Sequence, residues 1–319
     1  MKNFLYLILL IPFVCFSQSS LIVTVDGLID SKQYLKAEKL LLKSVPDDSK
    51  DLELIERMGD VYGYQKKWGK AAVYYKKLRD LKPKNAEYHY KYGGVLGMKA
   101  LQNKFKAIGL IGDIKSSFTK AAELDKNHIE ARWALVELYM QLPGIFGGSK
   151  KKSLKYAEQL EKLSTVDGYL AKGYIYEYDK APEKAEYYYK KAITTGGSVT
   201  CYQKLTDLYE TKLNKPNKAI GTIEESFSKH QRNALHYQIG KISSDYNVQL
   251  DKGLKCLNVY IANYKVSDGV PLEWAYYRMA KIYKHKGDKE NALLWINKAL
   301  AKRANFKQAK KEKIAINKI

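Results

Sequence analysis

The stretch from Leu52 to Asn85, LELIERMGDVYGYQKKWGKAAVYYKKLRDLKPKN, sets the pattern that the rest of the chain follows. Apolar residues recur in it at helical spacing on both sides of a short polar turn, which predicts two amphipathic helices. Gly59 and Ala71 are small residues placed where these helices would cross. Pro83 ends the second helix because proline has no amide hydrogen to donate. The stretch therefore predicts a helix–turn–helix unit.

This unit recurs along the chain with a period of about 34 residues. The order of Gly59, Tyr62 and Ala71 resembles the tetratricopeptide repeat (TPR), and the stretches 166–199 and 273–306 keep the same order. The other copies match less well but share the phase. The resemblance implies an all-α solenoid of about eight repeats, wound as a right-handed superhelix whose first helices line a concave groove.

The repeat phase divides the chain as follows. The predicted repeats span 18–51, 52–85, 86–128, 129–165, 166–199, 200–232, 233–270 and 273–306, and 307–319 is expected to form a capping helix. Two repeats carry insertions. Near 102–111 the added residues are too apolar for an open loop, so we expect an extended first helix or a short extra turn. Near 142–152 glycines lengthen the turn between the helices.

The N-terminus departs from this pattern. Lys2 precedes an apolar run of about 13 residues, and small residues follow at Cys15 and Ser17, which together predict a cleavable signal peptide over residues 1–17. The run is shorter than the roughly 18 to 20 residues that span a bilayer, but an uncleaved anchor is an alternative. Lipid attachment at Cys15 is another, although Val14 stands where a lipobox has a small residue. We expect an exported protein, periplasmic or secreted.

Charge and cysteine content add two expectations. The formal net charge of +22 favours an anionic partner in general, but export argues against nucleic acid, and part of the lysine content fits an AT-rich genome. In an exported protein Cys201 and Cys256 invite a disulfide. The repeat register separates them, so we expect two buried thiols.

The sequence offers little for catalysis. The histidines do not have metal-ligand spacing, and neither a GxSxG turn nor a CxxC pair occurs. The run GIFGGSKKK superficially resembles a phosphate loop, but it lacks the GxxxxGK[ST] spacing. Ser149 within it is better explained as the N-cap of the helix starting at Lys150. We therefore expect no enzyme activity, no metal and no cofactor.

The repeat phase also predicts which side chains face the concave side. This lining is acidic and aromatic in the N-terminal half and becomes basic towards the C-terminus. The residues predicted to contact a partner are Glu53, Glu56, Asp60, Tyr90, Trp133, Glu137, Tyr174, Glu177, Tyr237 and Lys281. Aromatic anchors flanked by charges are typical of interaction sites, so we expect a protein or peptide partner of basic or aromatic character. Acidic residues in first helical turns also stabilise any helix, which leaves a purely structural interpretation open.

The sequence therefore predicts a non-enzymatic protein-interaction scaffold of the cell envelope. The alternative is a peripheral envelope protein that binds anionic lipid or polysaccharide through its basic face. That face includes the tail residues Lys298, Lys302, Arg303, Lys307, Lys310, Lys311 and Lys313. The identity of the partner does not follow from the sequence.

Overall fold

The computed structural model describes residues 20–46, 48–102 and 107–319, and every regular element in these ranges is a helix. The predicted all-α fold class is confirmed. The chain divides into two compact units, an N-terminal unit ending at Leu163 and a C-terminal unit from Ser164 to Ile319. The predicted signal peptide, residues 1–17, lies outside the described residues.

The N-terminal unit is built from helices that pack against their sequence neighbours. They are α1 (residues 20–30), α2 (Tyr34–Ser44), α3 (Leu52–Tyr64), α4 (Trp68–Leu81), α5 (Ala86–Gln102), α6 (Ile111–Leu124), α7 (Ile129–Gln141) and α8 (Lys150–Leu163). Helix α5 is the longest, and a short 3-10 turn at Ile108–Leu110 precedes α6. The first insertion thus shows both of the expected features, an extended first helix and a short extra turn. The second contains a 3-10 turn at Gly144–Phe146 that ends on Gly147 with φ of 89°.

The C-terminal unit repeats the arrangement. Its helices are α9 (Thr165–Tyr178), α10 (Pro182–Thr195), α11 (Val199–Thr211), α12 (Pro216–His230), α13 (Asn233–Tyr246), α14 (Leu250–Ala262), α15 (Leu272–His285), α16 (Lys289–Lys302) and α17 (Lys307–Ile316). Within each predicted repeat, an odd-numbered helix packs against the even-numbered helix that follows it. Helix α17 packs on α16 and α15. The repeat bounds themselves remain a prediction.

Local sequence explains where several helices begin. The Asp51 carboxylate accepts hydrogen bonds from the backbone amides of Glu53 and Leu54, at 3.0 and 3.1 Å, and so caps α3. Ser198 caps α11 in the same way. Helices α10 and α12 begin with a proline, whose fixed φ suits the first turn. Side-chain caps and prolines thus fix where these helices begin.

The glycine of the first helix in a pair makes room for a large side chain of the second helix. A Cβ atom on Gly59 would lie 2.7 Å from the Tyr75 ring, and one on Gly173 would lie 2.3 Å from the Tyr189 ring. The sequence placed Gly59 where the two helices cross. In the structure, an aromatic ring of the second helix occupies the space over it. Ala71, fully buried on the facing helix, completes the packing.

Each of these two tyrosines also forms a hydrogen bond at its tip. The Tyr75 hydroxyl donates to Asp60 at 2.6 Å, and the Tyr189 hydroxyl donates to Glu177 at 2.9 Å. Burial and the adjacent carboxylate raise the pKa of both phenols, so each hydroxyl keeps its proton and acts as a donor. A buried ring that is anchored at its tip has little freedom to move away from the glycine.

The cysteine prediction is confirmed for the described residues. Cys201 and Cys256 are both buried free thiols. Burial raises the pKa of the Cys256 thiol, which keeps it protonated and unreactive.

Replacing Gly173 with alanine tests the glycine–tyrosine packing. Gly173→Ala should lower the free energy of unfolding by about 1 to 3 kcal/mol, because the added methyl collides with a ring that cannot retreat. Gly221→Ala on α12 is the matched control, since a Cβ there meets nothing within 4 Å. That control should be neutral or stabilising by up to about 1 kcal/mol through helix propensity. Urea unfolding measures both, and equal stabilisation by both alanines would contradict the packing.

Candidate functional site

The N-terminal unit contains a cavity of about 910 Å³ between the first helices of adjacent pairs and the two insertions. Its floor consists of buried side chains, among them Val95 on α5 and Ile114 and Phe118 on α6. The Tyr75 ring and Trp68 reach it from α4. Cavities of this size fall within the range that binds ligands in other proteins, roughly 300 to 1,000 Å³.

The two insertions form the walls of this pocket. Met98 and Leu101, on the last turns of α5, and Ile108, in the 3-10 turn, are 42, 67 and 56% exposed. Leu142 and Phe146 from the second insertion also line the pocket. Exposed aliphatic side chains next to a buried apolar floor are unusual unless another molecule covers them. Both insertions therefore help to build one candidate binding site.

A partly buried ionic group lies next to the pocket. The Lys91 ammonium, which lines the pocket, is 2.5 Å from the Glu56 carboxylate and 3.1 Å from that of Asp60. Asp60 also accepts the hydrogen bond from Tyr75. Burial alone would lower the pKa of Lys91, but the two carboxylates outweigh it and raise the pKa. Lys91 is therefore fully charged and neutralised from within the protein.

The same kind of ion pair links successive first helices elsewhere. Asp26 pairs with Arg57 across a separation of 31 residues, as Asp60 does with Lys91. Glu210 and Lys241 are also 31 residues apart and paired. The sequence analysis treated several of these acidic residues as available to a partner. In the structure the charges of Glu56 and Asp60 are already paired, because Lys91 of the next repeat contacts both carboxylates.

The predicted contact residues of the N-terminal unit fall into three groups. Tyr90 and Glu137 line the pocket, with the Tyr90 ring against those of Phe118 and His128. Glu56 and Asp60 do not line it, but both pair with the lining residue Lys91, and Asp60 also accepts from Tyr75. Glu53 is exposed at the start of α3, and Trp133 is half-buried on α7; neither is among the pocket-lining residues.

The predicted contact residues of the C-terminal unit are mostly engaged within the protein. Glu177 accepts the Tyr189 hydroxyl, and Lys281 pairs with Asp245 at 2.6 Å. Tyr174 is half-buried beside Tyr178, with 6.1 Å between ring centroids. Tyr237 is only 7% exposed and packs 5.4 Å from the Tyr260 ring. Its assignment to the groove surface was wrong, because its ring belongs to the core.

The sequence analysis missed two features of the pocket. The first is Lys91, whose 31-residue spacing from Asp60 was a readable signal. The second is the combination of the insertions into one wall. Their apolar residues were noted, but a repeat template has no position for added residues and so does not predict where they pack.

The histidines serve the helices rather than a common centre. His128 is buried and its Nδ1 accepts from the Ala131 amide, which caps α7. His230 and His285 each lie within hydrogen-bond distance of a backbone carbonyl, at 2.8 and 3.0 Å. In the part of the chain that the structure describes, no cluster of three or more His, Cys, Asp and Glu residues is suited to a metal ion. The described helices also include none with the length and hydropathy of a membrane span.

Comparison with solved structures identifies the fold. A tetratricopeptide repeat protein from Parabacteroides merdae aligns over 93% of this chain and 98% of its own, with 16% identity and a TM-score of 0.50. Yeast Tom70 aligns over 85% of this chain and 57% of its own, with 17% identity and a TM-score of 0.55. No protein-family model matches the chain, and no functionally curated protein matches its sequence.

Paired helices, several with a glycine at their crossing, recur in both units and form a TPR-like helical solenoid. At 16 and 17% sequence identity, the similarity to these solved structures shows the fold alone. The pocket, with its walls of inserted residues, is a feature of this chain.

Replacing Lys91 tests whether the ionic group is structural. Lys91→Met should lower the free energy of unfolding by about 1 to 3 kcal/mol, because it leaves the partly buried Glu56 without its cation and Asp60 with only Arg57, 3.9 Å away. The control is Lys76→Met, which breaks an exposed pair with Asp80 and should cost no more than about 0.5 kcal/mol. Chemical unfolding compares the two. Equal losses would mean that the Lys91 pairs contribute no more than a surface pair.

Proposed function

We propose that this protein is an interaction module that binds a segment of a partner protein in the pocket of the N-terminal unit. The observation that carries the proposal is the cavity of about 910 Å³ with a buried apolar floor and exposed apolar walls. Covering Met98, Leu101 and Ile108 would remove aliphatic surface from water, which stabilises a complex by about 25 cal/mol for each Å² buried. A bulky apolar side chain of the partner fits this floor.

The charges around the pocket favour a basic partner. Three carboxylates of the neighbouring ionic group, Asp26, Glu56 and Asp60, face only two cations, Arg57 and Lys91. Glu137, an exposed residue that also interacts within the protein, lies on the pocket lining. In the described ionic group, carboxylates therefore outnumber cations, although the chain as a whole is strongly basic. We infer that the bound segment carries Lys or Arg close to its apolar anchor.

Binding rather than catalysis suits the chemistry of the pocket. The described residues that line it include no His, Cys, Ser or Asp side chain. Lys91, the one cation among the described lining residues, is held by two carboxylates and is not available to polarise a substrate. The site is thus suited to holding an apolar group and orienting a cation.

An envelope role rests on the sequence of residues 1–17. Lys2, the apolar run and the small residues at its end support export through a cleavable signal. We propose that the module works outside the cytoplasm, periplasmic or secreted, where its partner would be another exported or envelope protein.

A random peptide library displayed on phage, selected on the purified protein, tests the proposed specificity. Recovered peptides should pair a large apolar or aromatic residue with a nearby Lys or Arg. Leu101→Asp should weaken their binding at least tenfold in fluorescence anisotropy, because a charge then stands in the apolar wall. Leu294→Asp, at a similarly exposed leucine of α16, is the matched control and should leave binding unchanged.

The charge component has its own test within the same assay. Glu137→Lys should weaken the binding of a basic peptide, because the attraction to its lysine is lost. It should have little effect on the binding of the same peptide with Lys→Gln, which has no such attraction to lose. The coupling in this double-mutant cycle isolates the contact. Peptides that are acidic, or that bind the Leu101→Asp variant equally well, would refute the proposed pocket.

A further inference from the structure

The last helix of the C-terminal unit, α17, presents a basic face that no later repeat covers. Lys307, Lys310, Lys311 and Ile314 follow the spacing i, i+3, i+4, i+7, which places them on one side of the helix. All four are exposed, whereas Ala309 and Ile316 on the other side are fully buried. These four residues are called the terminal basic face below.

The lysines of this face lack internal counterions. Residues 298–318 contain eight Lys or Arg and a single carboxylate, Glu312. Glu312 points inward and lies 2.5 Å from the Lys284 ammonium of α15. Among the described residues, no ion pair involves Lys307, Lys310 or Lys311. By contrast, Lys190 on α10 and Lys76 on α4 each pair with a carboxylate four residues away.

Solubility alone does not require this arrangement. The open end of a solenoid needs a polar surface, and a mixture of both charge signs provides one. Here the charges have one sign, and Ile314, in their midst, is 61% exposed. Ile319, just beyond the helix, is 49% exposed. Lysines around an exposed aliphatic side chain are typical of surfaces that lie on a membrane.

We propose that the terminal basic face binds the headgroup layer of an anionic phospholipid membrane. The lysine ammoniums pair with lipid phosphates, and Ile314 enters the boundary between headgroups and acyl chains. An acidic polysaccharide would satisfy the lysines equally well, but it offers no apolar phase for isoleucine. The exposed aliphatic side chains therefore favour lipid. This surface is separate from the pocket, and the inference does not depend on the proposed partner segment.

Co-sedimentation of the whole protein with lipid vesicles tests the inference. Vesicles of phosphatidylcholine with added phosphatidylglycerol should bind the protein, and pure phosphatidylcholine vesicles should not. The triple change Lys307→Gln, Lys310→Gln and Lys311→Gln should lower affinity about 100-fold, given the usual contribution of each lysine near an anionic membrane. At about 0.5 M salt, where the Debye length is only a few ångströms, binding should disappear.

The matched control is Lys212→Gln, Lys215→Gln and Lys255→Gln, which removes the same charge from exposed lysines elsewhere in the C-terminal unit. It should retain most of the affinity. Ile314→Ser should weaken vesicle binding severalfold at unchanged charge, but should not affect retention on polygalacturonate. Thermal unfolding by circular dichroism confirms that all variants remain folded.

Three outcomes would overturn the inference. Equal loss of affinity in the two triple variants would mean that only total charge matters. Retention on polygalacturonate without vesicle binding would assign the face to a polysaccharide. The third is binding to pure phosphatidylcholine that is insensitive to the lysine changes.

Discussion

The structure depends on one recurring contact, a large side chain of the second helix packed over a glycine of the first. Tyr75 covers Gly59 and Tyr189 covers Gly173, and Phe118 and Leu257 take the same place over Gly93 and Gly240. The contact fixes how the two helices of a pair cross. Where the large residue is tyrosine, its hydroxyl also positions a carboxylate of the first helix. Packing and the arrangement of charges are therefore set by the same side chain.

This coupling explains why the acidic residues behave differently from the sequence-based expectation. Asp60 is held by Tyr75 from its own pair and by Lys91 from the next, so its charge helps to join neighbouring pairs. An ion pair that is partly buried contributes less to stability than its geometry suggests, since desolvation opposes the attraction. It does fix the relative placement of the helices that carry it. What remains for a partner is the apolar surface that these helices and the insertions leave open.

The sequence predicted the fold well because helix pairing depends on local, periodic features. Small residues and apolar spacing repeat often enough to reveal a common phase, as Gly59 and Ala71 illustrate. The pocket was harder to predict, since it is formed by residues that interrupt the repeat. Leu101 and Leu142 are separated in sequence by two helices, α6 and α7, and line the same pocket only through tertiary packing. Tyr237 is buried because its ring packs against Tyr260 of the paired helix, a contact that the repeat phase does not predict.

The central claim is that the pocket, not the ion-paired carboxylates, is the interaction site. Site-specific photo-crosslinking in the native cell tests this most directly, with benzoylphenylalanine at Leu101 and, for comparison, at Leu294, followed by mass spectrometry of the adducts. The account predicts a defined protein adduct at Leu101 alone, joined through a peptide in which an apolar residue neighbours Lys or Arg. The same adducts at both positions, or none at Leu101 when adducts form at Leu294, would contradict it.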